Sequence, residues 1–189
     1  MAKGEIFEQV PGARFSVERR AGVEHFVIPA RRNWFMLLFL SLWLVGWSLG
    51  FVSAFSEVAH GSGDLFLIVW LTGWTIGGGF VVTTILWQLG GKEYLAVDSG
   101  GLLHGWRMVG IGRERRYDLS YMSNLRVSEA GMPWGNFARP SFPPIFANGW
   151  GTIRWNYGAR TVSAAMGMSE AESEMIVARL SARLPAANR

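Results

Sequence analysis

The sequence predicts a membrane α+β protein: a transmembrane helical hairpin joined to a small β-barrel or sandwich that a C-terminal helix closes. Three observations predict it. Half of the 189 residues (50%) are hydrophobic and only 17% are charged, against roughly 25% in an ordinary soluble domain. Two long apolar runs lie close together within Asn33–Gly91, a stretch without a single Lys or Arg. Beyond it, short β-type segments alternate with Gly and Asp turns and end in an amphipathic helical stretch.

Residues 1–32 come first. They hold six basic residues together with Glu5, Glu8, Glu18 and Glu24, and the first apolar run starts late. A cleaved signal would carry a basic start and a short apolar core near the N-terminus, so the first helix is expected to be retained. Arg14–Ile28 is β-like, with Phe15, Val17, Phe26, Val27 and Ile28 among polar residues. It is too short for a sheet of its own. It is expected to join the C-terminal sheet, with the hairpin inserted in a discontinuous wet domain.

The hairpin occupies residues 33–91, with spans at 33–56 and 65–88 of 24 residues each. At about 1.5 Å per residue, each crosses a hydrocarbon core of about 30 Å with some tilt. The connection Glu57–Asp64 has two acids and no Lys or Arg, whereas Arg19, Arg20, Arg31 and Arg32 precede the hairpin and Lys92, Arg107, Arg113, Arg115 and Arg116 follow it. The positive-inside rule then puts both termini in the cytoplasm. Trp34 and Trp87 sit where interfacial anchors belong. Neither span contains Asp, Glu, Lys, Arg or His, which argues against a proton relay or ion pathway.

The spans share a pattern: Trp43-Leu-Val-Gly46-Trp47 is echoed by Trp70-Leu-Thr-Gly73-Trp74. Gly46/Gly50 and Gly73/Gly77 are small-residue pairs on one helix face, where a neighbouring backbone approaches closely. The hairpin is expected to pack on itself there, with the Trp rings filling the flanks. A Gly/Trp face docked on another membrane protein or a pigment is the sharper alternative.

Residues 92–189 form the cytoplasmic part. Strands are expected at Glu93–Asp98, Leu102–Arg107, Arg113–Leu119, Asn124–Ser128, Thr152–Tyr157 and Arg160–Ala164. Ser169 and Glu172 then read as a capping box. Glu170, Glu172 and Glu174 early in the helix, and Arg179 and Arg183 late, suit its dipole. Met175, Ile176, Leu180 and Leu184 give an apolar face, and Pro185 ends it.

The Asp98 turn, Gly110-Ile-Gly112 leading into Arg116-Tyr-Asp118-Leu119, Asn124-Leu-Arg126 and Tyr157-Gly-Ala-Arg160-Thr161 carry a resemblance. With the hairpin, this part resembles a family of bacterial membrane proteins of unassigned function with a pleckstrin-homology-like domain. The resemblance covers the hairpin and roughly the last 100 residues, and implies a β-barrel closed by a C-terminal helix. Its motifs specify turns and packing, so no catalytic residue is carried over.

Chemistry-bearing patterns are sparse. The absence of Cys removes disulfides, thiolate metal sites and a cysteine nucleophile. Gly110-Ile-Gly112 lacks the further Gly and the Lys-Ser/Thr of a phosphate loop. His25, His60 and His104 pair with no second His or carboxylate at a ligand spacing, so no metal or other cofactor is expected. Arg113, Arg115, Arg116 and Arg126 are the most charged feature, read as a solvated strand face or, in the functional reading, as a contact with anionic lipid headgroups. A net charge of +4 is weak support for nucleic acid, and none is expected as a partner.

Glu129–Gly151 holds four of the seven prolines together with Trp134, Phe137, Phe142, Phe146 and Trp150. So many aromatics favour an ordered loop lying on the barrel, the membrane surface or a binding partner, with a packing insertion as the competing reading. The expected function is a non-enzymatic accessory, scaffolding or assembly protein acting through membrane lipids and another integral membrane protein, with homo-oligomers open. The alternative is a component of a membrane enzyme or transporter whose active site a partner chain completes.

Overall fold

The computed structural model describes residues 5–61, 64–128, 143–144 and 150–185. Three strands precede the long helices: β1 (Glu5–Gln9), β2 (Ser16–Arg20) and β3 (Val23–Pro29). Ala21 and Gly22 both take positive φ, 50° and 80°, as a two-residue hairpin requires, so Arg20 pairs with Val23.

The helices are α1 (Trp34–Ala59) and α2 (Leu65–Gly90). The Asn33 side chain caps α1 by accepting from the Met36 N–H (3.0 Å), and Asp64 caps α2 by accepting from that of Leu67 (2.8 Å). Helix α1 continues through Glu57, Val58 and Ala59, residues that the sequence reading places in the connection. The break comes at Gly61, where φ is +81°.

After the helices run β4 (Lys92–Asp98), β5 (Gly101–Met108), β6 (Ile111–Tyr117), a 3-10 turn (Leu119–Tyr121), β7 (Met122–Val127), β8 (Ile153–Tyr157), β9 (Arg160–Ala164) and α3 (Glu170–Ser181). Asp118 ends β6 earlier than expected, because its carboxylate accepts from the Ser120 N–H (2.8 Å) and hydroxyl (2.6 Å) and starts the turn.

The strands form two antiparallel sheets. One has the order β1-β2-β3-β4-β5-β6 and the other β7-β8-β9. No closed barrel forms among the described residues: β1 and β6 are the edges of the larger sheet, and β7, β8 and β9 pair only with one another. The core lies between the sheets and under α3, around Phe15, Phe26, Leu95, Leu102, Trp155 and Ile176.

The helices interrupt this sheet. Strand β3 ends at Pro29 and pairs with β4, which starts at Lys92. The Ala30 N–H donates to Gly91 O (2.9 Å), and the Gln88 side chain accepts from the Asn33 N–H (3.0 Å). Trp87 of α2 meets Trp106 of β5 edge to face, ring centroids 6.5 Å apart.

Candidate functional site

The helix faces interlock through two reciprocal Trp-on-Gly contacts. Trp74 lies over Gly50, where a Cβ would come within 3.1 Å of its ring, and Trp47 lies over Gly77, where the figure is 3.2 Å. Trp43, Trp47, Trp74 and Trp70 form a continuous stack, with successive centroids 4.3, 4.6 and 5.2 Å apart. Gly46 and Gly73 face open space, so only one glycine of each predicted pair is used in the hairpin. Beside the stack runs a shallow groove of about 260 Å³ lined by Leu44, Phe51, Thr75 and Gly78 among others.

The arginines are distributed over two sheets. Arg113, Arg115 and Arg116 are exposed on edge strand β6, and Arg126 is on β7. Strand alternation puts Arg113 and Arg115 on one face and Arg116 on the other. Arg116 pairs with Asp98 at 3.0 Å. Arg126 donates to Asn124 O at 3.1 Å. Of the aromatic segment, Trp134, Phe137, Phe142 and Phe146 lie outside the described residues. Trp150 is half-buried, and Pro143 is buried.

A further pair emerges that the sequence reading passed over. Glu93, only 4% exposed, accepts through Oε1 from His104 Nε2 at 2.7 Å. Its Oε2 accepts from the Ala165 N–H (2.9 Å) and the Met166 N–H (3.4 Å). The two residues are 11 apart in sequence, so no ligand-type spacing announces the pair. Glu93 pairs with Trp106 and Leu95 with His104, so Glu93 and His104 are diagonal neighbours on one sheet face. The turn from Asp98 to Gly101 fixes that register, and it was the available signal.

Glu93, His104, Tyr117, Pro144 and Met166 border a cavity of about 80 Å³. The carboxylate accepts from three donors, and the two backbone N–H groups tie the corner after β9 to β4. Ala165 in that corner takes φ +63°. Among the described residues no group of three or more His, Asp or Glu is arranged to hold a metal.

A second carboxylate organises the start of α3. Glu172 accepts from the Arg14 N–H (2.7 Å), the Ser169 N–H (2.9 Å) and the Ser169 hydroxyl (2.7 Å). Partial burial works against its charged form, but the hydrogen bonds from Ser169 and Arg14 outweigh it and hold the carboxyl below its ordinary value. His25 on β3 is shifted down, first by burial and then by Arg20. Neither a family model, a curated protein nor a solved structure matches this chain.

Proposed function

We propose that this chain is a non-enzymatic integral membrane accessory protein of the bacterial inner membrane, an assembly or scaffolding subunit acting through protein and lipid contacts. One observation carries the reading: the apolar surface of both helices is uncovered. Their most apolar windows, with mean hydropathy 2.1 and 1.9, are only 6% and 11% buried, and Phe35 is 80% exposed. Soluble monomers rarely expose contiguous apolar patches beyond about 600 Å². Lipid and a second membrane protein are the solvents that fit this surface. The hydroxyls of Ser48, Ser53, Thr72, Thr75, Thr83 and Thr84 donate to carbonyls four residues back, as polar groups in hydrocarbon must.

In this reading both termini are cytoplasmic, with Arg31, Arg32 and Lys92 at the inner leaflet and Glu57 and Asp64 outside. The two sheets with closing α3 support a pleckstrin-homology-like domain there. Partner contact is assigned to the aromatic loop, with Trp134 and Trp150 as anchors. The alternative, a subunit of a membrane enzyme or transporter completed by a partner chain, draws on the Glu93–His104 pair beside its cavity. The three hydrogen bonds that hold the carboxylate in a structural tie favour the accessory reading.

Because the chain has no cysteine, an introduced thiol is unique. Ser173 is unsuited, being fully buried. In intact bacterial cells an impermeant thiol reagent should label Ala59→Cys and spare Ala178→Cys, both exposed positions. The opposite pattern refutes the orientation. Co-purification from gentle detergent should lose its membrane partner in the W134A/W150A double variant. A lone wild-type monomer with measurable turnover refutes the accessory role.

A further inference from the structure

Where the helices meet the sheet, a cleft of about 380 Å³ is lined by Arg14, Arg31, Arg32 and Lys92 together with Gln88 and Gly91, among others. Four of its lining residues are cationic and none is acidic. Arg31, Arg32 and Lys92 are exposed. Two of the guanidinium groups are braced on backbone: Arg14 donates to Gly167 O (2.7 Å) and Pro29 O (3.2 Å), and Arg32 to Leu89 O (3.1 Å).

Lys92 is also paired directly across the β4–β5 ladder with Arg107. Like charges in that position destabilise a sheet, so the geometry gathers positive charge at this end. Glu172 lines an adjoining cleft together with Arg14 and Arg31. It is already engaged by Ser169 and Arg14.

We propose that this cleft binds the phosphate of an anionic phospholipid, with Arg31 and Lys92 as its main ligands and Arg14 and Arg32 bracing the rim. The assignment rests on the membrane reading of the helices, which puts the cleft at headgroup depth. It differs from a diffuse basic surface because the cations converge on one opening between two helix ends, where basic pockets select phosphate headgroups. Exposed Trp34 begins α1 at the same level, as an interfacial anchor should.

The test uses delipidated full-length protein and native mass spectrometry with phosphatidylglycerol, phosphatidylcholine or inorganic phosphate. Wild type should prefer phosphatidylglycerol, and R31Q/K92Q should bind it about 30-fold more weakly, at about fivefold per basic residue. The charge-preserving R31K/K92R should retain the preference, as should R160Q at an exposed position of β9. Equal phosphatidylglycerol binding by wild type and R31Q/K92Q overturns the site. So does loss of preference in R31K/K92R, or lipid displacement by an equal concentration of inorganic phosphate. Liposome flotation of the same samples separates the two readings. Wild type that fails to float sinks the membrane assignment itself, whereas wild type that floats without headgroup preference sinks only the cleft.

Discussion

Replacing Glu93 by Ala tests whether the carboxylate holds the two sheets together. Two of its three donors lie in different surroundings. The Ala165 N–H sits on a fully buried residue, and losing its acceptor costs about 1–3 kcal/mol. His104 borders the cavity of about 80 Å³, where water can take over its hydrogen bond. Adding the deleted side-chain packing gives about 3 kcal/mol, the low end of the about 3–5 expected when a buried pair is broken. Glu93→Gln keeps the shape and one acceptor, and should cost about 1 kcal/mol. For a wet domain of about 130 residues, 1–32 with 92–189, a slope of about 3–6 °C per kcal/mol, between those of smaller and larger domains, predicts that Glu93→Ala lowers Tm by about 9 °C or more. Thermal unfolding of the full chain in detergent, followed by the β-sheet circular dichroism signal, is the assay. A Glu93→Ala shift no larger than that of Glu93→Gln would falsify the accounting, because the buried N–H would then have found another acceptor.

Gly50→Leu and Gly77→Leu should each displace the opposing Trp ring and destabilise the hairpin by about 1–3 kcal/mol, while Gly46→Leu, which meets open space, should not; denaturant resistance in detergent ranks them. Glu172 titrates below its ordinary 4.5 in the folded chain. It therefore adds stability above that pH and loses it as pH falls through the lowered folded value. The Tm gap between wild type and Glu172→Gln should be widest at neutral pH and close in acid; a gap that widens in acid reverses the sign and refutes the assignment. The tip between β5 and β6 exposes Val109 and Ile111, 66% and 67%, just beyond the row of Lys92 and Arg107. A nitroxide at Val109 in proteoliposomes should be relaxed by a lipid-soluble agent and one at Ser99, in the opposite turn, should not; equal relaxation rejects this placement.

Local chemistry carried most of the legible structure. Ser169 and Glu172 announce α3 by themselves, and Asp98 through Gly101 announces the β4–β5 turn. Strand β1 escaped because its five residues show no clean alternation, and its place depends on β2. Of the barrel or sandwich expected, no closed barrel is found among the described residues: strand count is readable from periodicity, whereas closure depends on which edges meet. Glu93 and His104 are 11 residues apart and neighbours only through the ladder. Each Gly pair signals a close helix face, yet the axial offset between the helices decides that Gly50 and Gly77, and not Gly46 and Gly73, receive a ring.

The pairing of β3 with β4 has a consequence for assembly. During synthesis β3 emerges with an open edge and waits while both helices are made, because its partner begins only at Lys92. Sheet completion is thereby ordered after the hairpin. Once formed, the connectors are only residues 30–33 on one side and Gly91 on the other. Neighbouring strands sit about 4.8 Å apart and packed helix axes about 8–10 Å apart, so these few residues absorb the whole difference. A change in the angle between the helices and the sheet has only these five connecting residues in which to be absorbed.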